Sequence, residues 1–190
     1  MKQKSLLVIE HCEPVLSKWL FLEYKHAAKL WNGPLVFTMV SDNKTGRTLQ
    51  KLGDVQKEKA STILSNKKCI ILDPQGKEPL TSKDCLDTEA IIVGGLLGYE
   101  KPKGRTKKLI SDKSDFEARH LGKHQLSIDG AVFVAKAISL GLNLKDIEIA
   151  REIEIIHDSI HSTILPFGYP IIEDRPVITP GLIQYLTKQY

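Results

Sequence analysis

Four short apolar runs, Leu6 to Ile9, Leu35 to Val40, Ile70 to Leu72 and Ala90 to Val93, constrain this chain more than any other feature of its sequence. Each is too short for a helix and shows no polar alternation. That is the pattern of a strand buried on both faces, and such strands belong to parallel sheets covered by helices. Between the first two runs, Val15, Leu16, Trp19, Leu20, Leu22, Ala27 and Leu30 recur at helical spacing until Gly33 and Pro34 stop the pattern. This is one strand–helix–strand unit. A second helix is predicted after Ser127, a good N-cap, marked by Ala131, Val134, Ala135, Ile138 and Leu142 and ending at Gly141 or soon after. The polar stretch from Ser41 to Lys67 reads as one or two short surface helices broken near Gly53, with no legible chemistry. From Asp146 to Ile155, Ile alternates with Glu, which predicts a half-exposed strand, a charged helix being the alternative. A chain of 190 residues with 42% hydrophobic content suffices for one well-packed core. The expectation is a single α/β domain over residues 1–190 with a mostly parallel sheet.

Composition narrows function only modestly. A formal net charge of +4 and a pI near 8.8 favour anionic partners weakly, since dedicated nucleic-acid binders carry a larger and more clustered excess. Cys12, Cys69 and Cys85 are odd in number and follow neither a disulfide nor a zinc pattern, so they are expected as reduced core thiols. His11, His120 and His124 lack metal-ligand spacing, and no metal is expected. The amino terminus is too short in apolar residues for a signal peptide, and no run approaches a membrane span, which places the expected location in the cytosol.

The chemistry lies in the second half. Three strand ends are each followed at once by turn-forming residues: Asp73-Pro74-Gln75-Gly76, Gly94-Gly95-Leu96-Leu97-Gly98 and Leu121-Gly122-Lys123. Ligands of parallel α/β sheets bind outside the carboxyl ends of the strands. Glycine there lets backbone approach a flat ring and offer its N–H and C=O groups to an adenine edge. One such loop is ordinarily only a turn; three together point to a ligand site. Neither GxGxxG opening a helix nor GxxxxGK[ST] occurs, which disfavours a ligand held by its phosphates and leaves a phosphate-free adenosine compound.

The order ILDPQGK, AIIVGGLLGYE and ARHLGKHQLSIDGAVFVAKAI resembles the knotted half of SPOUT methyltransferases over about residues 68–141. Over nearly the whole chain, through IEHCEP, SKWLFLEY, VGGLLG, RTKKL, RHLGKHQLS and LPFGYPI, the sequence is similar to the SPOUT family that contains the fungal protein arginine methyltransferases. The resemblance implies an α/β fold with a C-terminal trefoil knot, and S-adenosylmethionine held mainly by backbone of the three loops. It implies a cofactor shell of Leu72, Pro74, Gly94, Gly95, Gly98, Leu121, Gly122, Gln125 and Leu126. The family carries an acidic residue after the last glycine of VGGLLG, where this chain has Tyr99 and only then Glu100, so the substrate does not transfer directly.

Methyl transfer from a sulfonium needs a lone pair aligned behind the methyl carbon, so positioning supplies much of the rate. An arginine acceptor must also lose a proton, which calls for carboxylates nearby. Glu10, at the end of the first strand, is a candidate to grip a guanidinium, with a paired structural acid as the alternative; Glu13 reads as support for the next helix through its dipole. Glu23 shares a helix face with Trp19 and is either a solvated charge or a buried partner, lifted to a catalytic candidate by the family match. Arg105, within a basic run of Lys101, Lys103, Lys107 and Lys108, is a candidate for a phosphate or substrate carboxylate. Arg119 is expected to pair with a core acid. The acceptor is then an arginine of a ribosomal or other translation protein, with tRNA or rRNA as the alternative, and a non-catalytic adenosine-binding assembly factor as the rival outside enzymes; the chain would act as a monomer or homodimer.

Overall fold

The computed structural model describes residues 5–98, 102–158 and 160–188. Seven strands form the central sheet: β1 (Leu6–His11), β2 (Leu35–Thr38), β3 (Asp54–Val55), β4 (Cys69–Leu72), β5 (Glu78–Pro79), β6 (Ala90–Gly95) and β7 (Glu117–His120). Their spatial order is β3-β2-β1-β6-β4-β7-β5, and every pairing is parallel, with Leu7 beside Leu35, Leu6 beside Ala90, Cys69 beside Ala90 and Ile71 beside Ala118. The four apolar runs of the sequence are the four central or near-central strands of this sheet. The short edges β3 and β5 escaped notice in the sequence because two residues carry no periodicity.

Alternation along each strand divides the core between the two faces. Leu7 and Ile9, Ile70 and Leu72, and Ile91 and Val93 point to one side and join Leu20, Tyr24, Ala27 and Trp31 of α1 (Lys18–Trp31). Ile128, Val132, Ala135 and Ile138 of a second long helix (Ile128–Ser139) complete that layer. Val8, Cys69, Ile71, Ala90 and Ile92 point to the other side, against Ala60, Leu64 and Ile110. Five shorter helices complete the set among the described residues: α2 (Asn43–Leu49), α3 (Ala60–Ile63), α4 (Ser82–Asp87), α5 (Arg105–Leu109) and, after the long helix α6, α7 (Leu182–Thr187). Cys69 and Cys85 are free and buried and Cys12 is half-buried; burial pushes the Cys12 thiol up to about 12, which leaves it unreactive at neutral pH.

Helix boundaries follow local chemistry. Ser17 caps α1 by accepting from the Leu20 N–H at 3.1 Å, so the helix starts after Val15, which is 70% exposed. It stops at Asn32 in the left-handed region, just before Gly33 and Pro34. Ser127 caps α6 as expected, accepting from the Gly130 N–H at 3.2 Å. Between Ser41 and Lys67 the two short helices α2 and α3 are present, separated by β3 at the Gly53 break.

The expected strand from Asp146 to Ile155 is instead two, in different sheets. A turn of 3-10 helix (Leu144–Asp146) leads to β8 (Ile149–Ala150), and after a break at Arg151 comes β9 (Ile153–Ile156). β9 pairs antiparallel with β10 (Ser162–Leu165), whereas β8 pairs with β11 (Tyr169–Ile172), which also pairs with β12 (Arg175–Pro176). Alternating Ile and Glu specify a half-buried strand but not the point where the chain changes partner. Here Ile155, Leu165, Phe167, Tyr169, Leu182 and Leu186 form a separate small core, with Trp19 of α1 packed against it.

Candidate functional site

Because the central strands all run one way, the loops after β4, β6 and β7 emerge on one side of the sheet and enclose a cavity. The space they frame is about 920 Å³ including its open mouth. Leu72, Pro74 and Gln75 come from the first loop, Gly94, Leu96, Leu97 and Gly98 from the second, and Leu121, Gln125 and Leu126 from the third. Ser127, Ile128 and Ala131 at the start of α6 and Pro102 to Thr106 complete the wall. The lining is mainly apolar side chains and loop backbone, with Asp73, Lys103, Arg105 and His124 as the ionisable groups among the described residues.

Specific polar bonds fix each loop. Asp73 is 3% exposed; its Oδ1 accepts from the Gln75 N–H at 2.9 Å and its Oδ2 from the Ser111 hydroxyl at 2.6 Å, which folds the first loop and ties it to the segment after α5. Glu13 anchors the second. Its Oε1 accepts from the Leu97 N–H at 3.0 Å and from Arg105 Nη1 at 2.7 Å, while its Oε2 accepts from Arg105 Nη2 at 3.2 Å, a two-pronged ion pair at the cavity wall. The third loop is held by the carboxy-terminal segment: the Gly168 N–H donates to Gln125 C=O at 2.8 Å, and Gly168 bridges Leu126 as a parallel neighbour. Phe167 then presses on the second loop, so that a Cβ at Gly98 would stand 2.5 Å from Phe167 Cε1 and 2.3 Å from Gln125 Nε2. Gly98 is therefore required where two loops meet.

The family model for protein arginine N-methyltransferase SFM1-like proteins matches residues 6–190. The chain belongs to this family. It is 24% identical to the protein arginine N-methyltransferase SFM1 of Saccharomyces cerevisiae over 199 residues, covering 95% of this chain and 93% of that protein. The structure of yeast SFM1 with SAM superposes with a TM-score of 0.87, at 24% identity, covering 98% of this chain and 92% of that one; the SAH complex gives 0.84, at 23% identity, covering 95% and 93%. Trm10 of Thermococcus kodakaraensis shares the fold more distantly, with a TM-score of 0.56 at 15% identity over 74% of this chain and 96% of that one. The fold is thus the mostly parallel SPOUT-class architecture expected from the resemblance.

Against this geometry the family-derived shell divides. Leu72, Pro74, Gly94, Gly98, Leu121, Gln125 and Leu126 line the cavity. Gly95 and Gly122 do not. A Cβ at Gly95 would meet the Tyr24 hydroxyl at 2.1 Å and Glu10 C=O at 2.8 Å, so this glycine faces α1 and lets the helix approach the sheet. Gly122 has a φ of +97° with open space around it, and its N–H donates to His120 Nδ1 at 3.1 Å; it makes a turn. Tyr99 and Glu100, at the departure from the family pattern, and Lys101 lie outside the described residues.

The acidic and basic candidates also separate. Arg105 lines the cavity, committed to Glu13. Glu13 supports the loop of Leu97 rather than the start of α1, a role invisible in sequence because its partners lie 84 and 92 positions away. Glu10 is not brought to the cavity. Its carboxylate is 2% exposed and its Oε2 accepts from the Ala60 N–H at 2.6 Å and the Thr38 hydroxyl at 3.2 Å, so it joins β1 to β2 and caps α3. Arg119 pairs with Asp84 at 3.3 Å and with Glu117 at 2.5 Å, away from the cavity, as a structural ion pair. Lys107 bonds Asp112. Sequence reasoning missed Asp73, Glu13, Phe167 and Gly168 as supports; the motif LPFGYPI was the available signal for the last two.

Glu23 is buried at 2% exposure and reaches the cavity wall from behind. Its Oε1 accepts from Trp19 Nε1 at 2.6 Å and its Oε2 from the Ile128 N–H at 2.9 Å, at the start of α6. Burial, with Asp129 close by, raises its pKa to about 8. Asp129, 1% exposed, in turn accepts from the Thr179 hydroxyl and bonds His26 Nδ1, both at 2.6 Å.

Two expectations follow. Glu10→Gln removes a charged acceptor from a buried helix start and should lower unfolding free energy by about 1–3 kcal/mol in urea titrations, with SAH affinity little changed; a large loss of affinity without loss of stability would return Glu10 to the site. The second concerns pH. A carboxyl with a raised folded pKa stabilises fully below its unfolded value and loses that contribution as pH rises through the folded value. Thermal melts should therefore show the transition temperature falling between about pH 5 and about pH 8, and Glu23→Gln should flatten that slope.

Proposed function

We propose that this protein transfers a methyl group from S-adenosylmethionine to the guanidinium of an arginine in a protein. The observation that carries this reading is the convergence of three loops on one apolar-walled cavity in a chain that belongs to the arginine methyltransferase family. The walls fit the cofactor. Leu72, Val93, Leu121, Leu126 and Ile128 offer apolar surface for an adenosine, and the loops offer peptide groups for its polar edges. When bound, S-adenosylmethionine supplies an electrophilic methyl group on a sulfonium. The strand order, with β6 inserted between β1 and β4 and β7 beyond β4, agrees with the trefoil knot inferred from the resemblance.

This chain's own residues then position and exclude. The Phe167 and Gly168 segment keeps the third loop against the second and water out from that side. The Glu13–Arg105 pair holds the wall contributed by Leu97 and α5. Asp73 is the carboxylate among the described lining residues, its oxygens held by Gln75 and Ser111, and Glu13 backs the wall through its ion pair with Arg105.

An RNA acceptor would draw on Lys103, Arg105, Lys107 and Lys108 as phosphate contacts. Two of these cations are already committed, Arg105 to Glu13 and Lys107 to Asp112, which favours protein. The substrate is proposed as a ribosomal or other translation protein, and the site of action as the cytosol; no helix among the described residues is long and apolar enough to cross a membrane.

The deciding experiment incubates the protein with methyl-labelled S-adenosylmethionine and a cell lysate. Label should be lost to protease and recovered as methylarginine; label lost to ribonuclease would overturn the protein assignment. Gly98→Val should abolish SAH binding in calorimetry while the far-ultraviolet circular dichroism persists, because the new side chain drives Gln125 and Phe167 apart. Normal binding by this variant would place the cofactor elsewhere.

A further inference from the structure

We propose that Glu23 is a positioning residue for the cofactor: reaching from α1, it holds the first turn of α6 and thereby the Gln125 to Ile128 wall of the cavity. This rests on the cofactor assignment above. The first N–H groups of a helix have no partner within it. In α6 the Ser127 hydroxyl serves the Gly130 N–H, and the Ser127 C=O serves the Ala131 N–H. The Ile128 N–H, at a residue that lines the cavity, is served by a side chain 105 positions away.

A carboxylate is required there because two donors from different elements converge on it. The Trp19 indole N–H takes one oxygen at 2.6 Å and the Ile128 N–H the other at 2.9 Å. An amide offers a single acceptor oxygen and would turn its own N–H groups toward the second donor. The arrangement is costly, since Glu23 is 2% exposed and stands beside Asp129, itself 1% exposed. Burial, and after it the nearby charges of Glu23 and Asp129, push the pKa of Tyr169 of β11 up. Its buried hydroxyl has no hydrogen-bond partner among the described residues. Removing the Glu23 carboxylate would leave both donors unsatisfied rather than merely open a space. Its two bonds join α1, which carries Trp19 into the small carboxy-terminal core, to the helix start beneath the cavity.

The test is calorimetric titration of SAH at about pH 9, where the Glu23 carboxyl is ionised, into the unaltered protein and into Glu23→Gln, Trp19→Phe and the double variant, each measured well below its melting temperature. Glu23→Gln should bind SAH roughly tenfold more weakly, the effect of one buried donor left facing another. In turnover the KM for S-adenosylmethionine should rise while that for the acceptor holds. Trp19→Phe should weaken binding less than Glu23→Gln does, because the carboxylate keeps its bond to Ile128. The double variant should recover most of the lost affinity, because the indole donor that opposed the amide is gone. A purely structural role would lower melting temperatures without moving affinity, so SAH binding by Glu23→Gln at the unaltered strength overturns the proposal. So does a double variant that binds no better than Glu23→Gln. Failure of the unaltered protein to bind SAH would overturn the cofactor assignment instead, and circular dichroism identifies any variant that does not fold.

Discussion

Every feature of the candidate site depends on the parallel run of the strands β1, β6, β4 and β7. Parallel pairing places all their carboxyl ends on one side, so three loops far apart in the chain open into the same volume. Burial of both sheet faces sets the terms on which those loops exist, because Leu7, Ile9, Ile91 and Val93 bind one helical layer and Val8, Ile71 and Ile92 the other. The strands cannot move independently, and the loops inherit their rigidity. Loops that offer peptide groups to a ligand need such a frame, since peptide groups recognise a ligand only from fixed positions.

A second level of fixation comes from buried or partly buried carboxylates that each bind two partners. Asp73 joins its own loop to Ser111, Glu13 joins Leu97 to Arg105, Glu10 joins Thr38 to Ala60, and Glu23 joins Trp19 to Ile128. A buried carboxyl group is costly unless its lone pairs are satisfied, and in these four places they accept from donors that would otherwise be unsatisfied as well. The same chemistry that makes Glu10 and Glu23 attractive as catalytic residues in the sequence makes them good structural acceptors in the fold. Only their partners distinguish the roles. The family relationship constrains the chemistry of the cavity, and the cavity supplies the shape.

Much of this was legible beforehand, for reasons that particular residues make plain. The apolar runs became the central strands because a stretch such as Ala90 to Val93 has no polar side to show to water. The Ser127 cap and the Gly33-Pro34 stop marked the start of α6 and the end of α1 through chemistry confined to a few neighbouring residues, whereas the Ser17 cap that starts α1 was passed over. The loops ending in Pro74, Gly98 and Leu126 line the cavity, as the turn residues implied. What failed did so where a residue's meaning depends on a distant partner. Gly95 and Gly122 look alike as loop glycines, yet one faces the Tyr24 hydroxyl and the other only bends the chain.

By itself, then, the sequence determined the class of fold, the end of α1, the start of α6 and the three loops that form the cavity, while α6 stops at Ser139, short of the expected Gly141 and Leu142. Those depend on hydrophobic pattern and local backbone chemistry, which span a few residues at most. The tertiary structure alone decided which carboxylates face the cavity and which are consumed as supports, and that the segment around Phe167 closes it. Glu13 meets Arg105 across 92 positions and Glu23 meets Ile128 across 105, and no local pattern encodes a contact that exists only after the sheet has assembled.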